Sequence, residues 1–232
     1  MTHINGSVAF VTGGNRGIGK RTVDELLARG AAKVYATARN PQPSEDPRIV
    51  VLQLDVTDKA SIAAAAAEAQ DVQILINNAG ILGAGLSTLG VDLDDARAVF
   101  ETNVFAPLAV TQAFAPILAK NGGGVVVNIH SALSWAAGWG AVGASKAAIW
   151  SFSNSLRVDL EGQQTRVIGV HLGYTDTDLV AALDVPKNDP RDIARAIADG
   201  IENDEVEVLA DDTAKYVKSL LSGPVTALEL NR

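Results

Sequence analysis

Short apolar runs alternate along this chain with stretches whose apolar residues recur every three to four positions. Val8-Ala9-Phe10-Val11 is the first run, and an amphipathic pattern follows it from Lys20 to Arg29. After the helix stop Arg29-Gly30, Lys33 to Ala38 reads as a second strand. Ile49 to Leu54, Val72 to Ile76, Val125 to Ile129, Arg166 to Leu172 and Val206 to Leu209 complete a set of seven. Between them, helical patterns cover Lys59 to Gln70, with Thr57 or Asp58 as cap, and Leu93 to Ala119, with Pro107 and Pro116 as kinks or breaks. Further helices are expected over Ala144 to Gln163, from Asp189-Pro190 to about Asn203, and over Thr213 to Leu221. Near-continuously apolar strands that alternate with helices predict an α/β fold: a doubly wound parallel sheet with helices on both faces. No linker, charge block or repeat divides the chain, so residues 1–232 read as a single domain. Ligands of such a sheet bind at the carboxyl ends of its strands.

The first strand runs into Thr12-Gly13-Gly14-Asn15-Arg16-Gly17-Ile18-Gly19 and then a helix, the order in which α/β folds bind the phosphates of a dinucleotide. Gly13 permits the tight turn, Gly17 lets backbone approach the pyrophosphate, and Gly19 lets the helix pack close to the strand. The spacing, G-x-x-x-G-x-G, is one residue longer in its first gap than G-x-G-x-x-G. An acid at the end of the second strand would bind a ribose 2′-hydroxyl and repel a 2′-phosphate. Here that strand ends Thr37-Ala38-Arg39, and Arg16 lies inside the glycine turn. Two guanidinium groups clamping one phosphate predict NADP(H) as the cofactor.

Composition narrows the alternatives. Apolar residues make up 47% of the 232, enough for one buried core. A net charge of −8 argues against general nucleic-acid binding and says nothing against an anionic cofactor, which needs only a local positive site. With no cysteine there is no disulfide or thiolate metal site, which fits a reducing cytoplasm. His3, His130 and His171 show no metal-ligand spacing, and no metal is expected. No apolar run approaches bilayer length, and Met1 to Gly6 lack the basic-then-apolar order of a signal peptide. A soluble cytoplasmic protein without membrane contact is the expectation.

Seven pieces of the chain together resemble the short-chain dehydrogenase/reductase family, NADP-preferring bacterial carbonyl reductases above all. They are the glycine turn, Asp55-Val56, Asn77-Asn78-Ala79-Gly80, Asn103-Val104, Asn128-Ile129-His130-Ser131, Ala144-Ser145-Lys146-Ala147-Ala148 and Gly173-Tyr174-Thr175-Asp176-Thr177, each at a strand end or helix start. The resemblance spans nearly the whole length and implies a Rossmann-like fold. It implies that Asp55 and Val56 hold the adenine, that Asn78, Ala79 and Gly80 lie along the adenosine ribose and phosphates, and that Gly173, Thr175 and Thr177 sit near the nicotinamide and phosphates. It further implies a catalytic serine, tyrosine and lysine with a supporting asparagine. Ser131, Lys146 and Asn103 match three of these, with Lys146 also serving the nicotinamide ribose.

The fourth is missing. In the family the tyrosine stands four residues before the lysine, on the same helix face, and protonates the carbonyl oxygen as hydride arrives. Four residues before Lys146 is Val142, which can neither donate nor accept a proton. The interval from Ser131 to Lys146 also looks shorter than the family's, around Ala136 to Gly140. Tyr174, His130 and Ser134 are candidate substitutes, and Trp135 and Trp139 are candidate pocket walls or subunit contacts. The substrate loop is placed at about 174–190. Three readings stay open: a reductase of small or medium apolar carbonyls or imines with an altered proton relay, a non-catalytic NADP(H)-binding protein, and a carbonyl reductase altered between Trp135 and Ser145. The family implies a small-molecule substrate and a homodimer or homotetramer.

Overall fold

Valine, isoleucine and alanine fill the strand runs, and in the computed structural model they build one parallel sheet. The structure describes residues 2–85 and 87–230. The strands are β1 (Val8–Val11), β2 (Lys33–Ala38), β3 (Ile49–Gln53), β4 (Ile74–Asn77), β5 (Gly124–Ile129), β6 (Thr165–His171) and β7 (Glu207–Leu209). Their order is β3-β2-β1-β4-β5-β6-β7, every neighbouring pair parallel. The order reverses between β1 and β4, where Val11 pairs with Ile76, so the crevice for a ligand opens just beyond that pair.

Among the described residues, seven α-helices flank the sheet: α1 (Gly17–Ala28), α2 (Lys59–Glu68), α3 (Leu93–Phe100), α4 (Ala106–Lys120), α5 (Gly140–Asp159), α6 (Pro190–Glu202) and α7 (Asp212–Ser219). On one face Val23 and Leu26 of α1 pack with Ile193 and Ile197 of α6 over Val11, Ile76 and Val127. On the other, Ile62 of α2 and Val110, Phe114 and Leu118 of α4 pack over Phe10, Leu75 and Val126. Most of these side chains are fully buried, each contributing about 1.5–3 kcal/mol relative to exposure.

Four sequence expectations shift or sharpen. The single helix expected from Leu93 to Ala119 is a run of three pieces, because Glu101–Phe105 forms a wide π turn between α3 and α4. Pro107 falls in the first turn of α4 directly after it, where a missing N–H costs little, and Pro116 is carried inside α4. The whole run Leu93–Lys120 is long and apolar enough to cross a membrane by length and composition, contrary to expectation; its buried stripe, Val110, Phe114 and Leu118, packs on the sheet. Helix α5 begins at Gly140 rather than Ala144, which makes Val142 helical. The cap of α2 is Asp58, not Thr57: its carboxylate accepts from Ala60 N at 2.9 Å.

Candidate cofactor cleft and active site

The glycine turn is stitched across the crevice from β4. Thr12 Oγ1 accepts from Asn78 N (2.9 Å) and Ala79 N (3.0 Å), and Asn78 Nδ2 donates to Thr12 O (2.9 Å) and Gly13 O (3.3 Å). Asn78 therefore holds the turn with its amide, a role that the spacing of the motif does not reveal. A Cβ at Gly19 would stand 2.2 Å from Gly13 O and 2.5 Å from Asn78 Nδ2, so only glycine fits there. Asp58, Asp92, Asp189 and Asp211 cap α2, α3, α6 and α7, whereas α1 has no side-chain cap and no acid in its first turn. The N–H groups of Gly17, Ile18 and Gly19 thus begin a helix whose N-terminus is left for an anion. This cradle fits the pyrophosphate of a dinucleotide.

Around it the remaining sequence candidates take varied places. Asn15 and Arg16 are exposed, and Ile18 and Val56 turn partly into the two cores. Arg16 Nη1 pairs with Asp178 Oδ2 at 3.3 Å, while Arg39 closes β2 and its charge acts on the Asp55 carboxylate. Asp55 Oδ1 accepts from Thr57 Oγ1 (2.7 Å) and Thr57 N (2.9 Å), and these bonds first, with Arg39 assisting, hold its pKa below the usual carboxylate value. Thr177 reaches the glycine turn: its Cγ2 lies 3.1 Å from where a Gly17 Cβ would stand. Thr175 forms a parallel bridge with Asn188. Asp211, which the sequence did not single out, caps α7 and also accepts from Gly173 N (2.6 Å) and Asn188 Nδ2 (2.7 Å). One buried carboxylate therefore ties the end of β6, the 174–190 loop and α7 together.

The chemistry-bearing residues line the ends of β4 and β5 and the start of α5. Asn103, in the π turn, clasps Ile81 through both polar atoms (Oδ1 from Ile81 N, 2.9 Å; Nδ2 to Ile81 O, 2.9 Å) and reaches Ser145 Oγ at 3.2 Å. Its Oδ1 also lies 3.2 Å from where a Gly80 Cβ would stand. Asn103→Ala is expected to cost about 1–3 kcal/mol for each backbone group left unpaired, read as a fall in Tm. Lys146 Nζ donates to Ile129 O at 2.8 Å, and burial lowers its pKa to about 8. Its ammonium is still mostly charged at neutral pH. Ser131 Oγ donates to Leu172 O (3.2 Å) and accepts from Leu133 N (3.1 Å), capping the short helical turn Ala132–Ser134.

Val142 is 1% exposed, in an apolar cluster with Val99, Ala141, Ile81, Leu133 and Trp139. The short loop before it closes through Gly138 (φ 86°) and Gly140 (φ 49°), left-handed positions that favour glycine. Its Ala137 N donates to Leu228 O (2.9 Å), so the C-terminal segment seals the loop.

Of the substitute donors, His130 is buried with both ring nitrogens engaged, by Ser153 Oγ (2.8 Å) and His171 Nε2 (3.2 Å). It is not available to a ligand. Ser134 Oγ is buried without a partner among the described residues. Tyr174 is half-buried with its ring edge-on to Trp139 at 6.0 Å. Burial alone pushes its phenol above the ordinary value, with no contribution from Lys146, so it is a weaker acid than a free tyrosine. Trp139 belongs to the Val142 cluster, whereas Trp135 is not a pocket wall: it is buried against His171, Trp150 and Val217.

Residues 7–188 match the family model described as short chain dehydrogenase. The crystal structure of a short chain dehydrogenase from Burkholderia cenocepacia in complex with NADP shares 35% identity, with a TM-score of 0.92 over 98% of this chain and 97% of that one. An uncharacterized oxidoreductase of Schizosaccharomyces pombe is 34% identical over 191 residues, 75% of this chain and 76% of its own length. An NADP-dependent 3-hydroxy acid dehydrogenase of the same yeast is 28% identical over 240 residues, 91% of this chain and 93% of its own.

Proposed function

The chain belongs to the short chain dehydrogenase family, and from that premise we propose that it transfers hydride between NADP(H) and a small or medium apolar carbonyl or imine compound, with a proton relay altered at Val142. The observation that carries the reading is a lysine, serine and asparagine constellation whose tyrosine place is a fully packed valine. When bound, NADPH supplies the hydride. The uncapped start of α1 would hold the pyrophosphate, and Arg39, with Arg16 freed from Asp178, would hold the 2′-phosphate. Lys146 would offer its ammonium to the ribose hydroxyls, and Asn103, through Ser145, steadies the helix turn that carries it. Ser131 can offer its hydroxyl to a substrate oxygen by releasing Leu172 O. Val142, Trp139 and Leu133 form an apolar wall that excludes water.

That wall has no acid to protonate an alkoxide, and general acid catalysis is worth about 10²–10⁴-fold. An iminium carbon is already cationic and accepts hydride without protonation of an oxygen. Cyclic imines are therefore the substrates least affected by the missing tyrosine. A second reading, a non-catalytic NADP(H)-binding protein, is favoured by the Ser131 hydroxyl, whose proton is committed to Leu172 O and whose lone pair caps a turn.

Titration of NADPH into purified protein, followed by ketone and cyclic-imine panels at the cofactor's absorbance, separates the readings. Oxidation by any panel member supports the first, and cyclic imines are expected to lead. Binding without turnover supports the second, and no NADPH binding overturns both. The phosphate assignment has its own check. Arg39→Ala is expected to weaken NADPH binding by about 10–100-fold, the worth of a hydrogen bond between charged groups, and to leave NADH binding unchanged. Equal losses for both cofactors would remove Arg39 from the 2′-phosphate.

A further inference from the structure

Behind Ser131 runs a buried line of hydrogen bonds that the proposed chemistry does not use. Asn77 Nδ2 donates to Asn128 Oδ1 (2.9 Å), and Asn128 Nδ2 donates to Ser153 Oγ (2.8 Å). Ser153 Oγ lies 2.8 Å from His130 Nε2, His130 Nδ1 lies 3.2 Å from His171 Nε2, and His171 Nδ1 lies 3.1 Å from the Ser131 carbonyl oxygen. All five side chains are buried. The line crosses from β4 through β5 and α5 to β6 and ends on the residue that carries the candidate substrate hydroxyl.

Proton positions follow from the end that offers no choice. The Ser131 carbonyl can only accept, so His171 carries its proton on Nδ1. Burial lowers the His171 pKa to about 4 and that of His130 well below its ordinary value, so both rings are neutral near pH 7. A neutral His171 then presents a lone pair at Nε2, which requires a proton on His130 Nδ1. His130 Nε2 is left to accept from the Ser153 hydroxyl, whose single proton then turns to it from Ile149 O, also 2.8 Å away, and whose lone pair is filled by Asn128. Every bond in the line is satisfied in one direction, toward Ser131.

The surroundings hold this arrangement in place. The Trp135 ring stacks on His171 at 4.0 Å and 17°, and the His130 ring meets His171 edge-on at 4.7 Å. Gly169 on β6 leaves the room for His130, because a Cβ there would stand 2.5 Å from His130 Cε1. Glu207 Oε1, itself held by Lys218 Nζ at 2.8 Å, lies 3.7 Å from His171 Nε2. Lys146 and Arg157 are the other charges that bear on the two rings.

We propose that His171, backed by His130, is a positioning residue for Ser131: its Nδ1–H grips the Ser131 carbonyl and so sets the direction in which the Ser131 hydroxyl is presented. The same carbonyl accepts from Ser134 N at 3.0 Å, so strand end and helical turn are fixed at one atom. The proposal rests on the reading of Ser131 as the group that meets substrate.

The test is a double-mutant cycle on the best substrate of the panel. His171→Leu is expected to lower kcat by about 10–100-fold, the scale of a small misplacement, with the NADPH Kd unchanged. His171→Asn places an amide Nδ2 where the ring had Nδ1 and is expected to recover most of that loss. In Ser131→Ala, adding His171→Leu is expected to cost nothing further. Equal costs in both backgrounds, or an Asn variant as damaged as the Leu variant, overturn the proposal. If Ser131→Ala alone leaves kcat unchanged, it is the reading of Ser131 that fails. An arm free of turnover reads the imidazole ¹⁵N–¹H correlations of the intact protein. Both rings are expected as neutral Nδ1–H tautomers from about pH 6 to 8, and an Nε2–H tautomer at His171 would overturn the proposal whatever the kinetics. Should His171→Leu not fold, His171→Gln, which lacks a donor at the Nδ1 place, takes its part.

Discussion

Val142→Tyr is expected to raise kcat/KM for a simple ketone by about 10²–10⁴-fold while changing that for a cyclic imine only slightly. The introduced phenol would stand four residues before Lys146, one helical turn away on the same face of α5. The Lys146 ammonium, already destabilised by burial to about 8, would lower the pKa of a neighbouring phenol and turn it into a usable acid. The opposing term is steric. Val142 is packed among Val99, Ala141, Leu133 and Trp139, so the larger ring must displace Trp139 or Leu133 at a cost of about 1–3 kcal/mol. Assays therefore belong well below the variant's Tm. A ketone gain identifies the missing acid as the only defect of an otherwise competent reductase. A folded variant that binds NADPH but gains nothing places the defect in the short loop from Trp135 to Trp139, which Leu228 seals and which would then need lengthening.

The fold was legible because its signals are local and repeated. Each strand is a continuous apolar run, and each junction carries turn or capping residues, so Asp189-Pro190 could be read as a helix start before any contact was known. What was misread depended on tertiary neighbours. Gly140 and Gly143 hid the first turn of α5, whose formation is driven by burying Val142 rather than by helix propensity. The wide turn at Glu101–Phe105 has no pattern of its own and serves to bring Asn103 to Ile81 and Ser145.

The site divides the same way. Gly19, Asn103, Ser131 and Lys146 could be singled out as candidates from spacing and family resemblance. The partners of their polar atoms could not. Asn78 stitches the glycine turn with its amide, Arg16 faces Asp178, and Asp211 joins three elements that are far apart in sequence. His130 and His171 looked like isolated histidines because 41 residues separate them, and only the β5–β6 pairing makes them neighbours.

Gly19→Ala is expected to abolish the stabilisation that NADPH gives. At a concentration of 100 Kd a ligand adds about 2.7 kcal/mol, and a chain of this size gains about 2–4 °C in Tm per kcal/mol, so the unaltered protein should rise by about 5–11 °C. A methyl group at position 19 would meet Gly13 O at 2.2 Å and Asn78 Nδ2 at 2.5 Å. Neither atom can retreat freely, since Asn78 is bound to Thr12 O and through its own N–H to Thr12 Oγ1. The turn must open, which would move the α1 N–H groups out of the cradle proposed for the pyrophosphate and lower the apo Tm as well. Gly162→Ala supplies the control: nothing lies within 4 Å of its Cβ, and it is expected to keep the full NADPH shift. A Gly19→Ala protein that folds and still shows that shift would remove the phosphate from the start of α1, and with it the reason for reading Arg39, Lys146 and Thr177 as parts of one cofactor cleft.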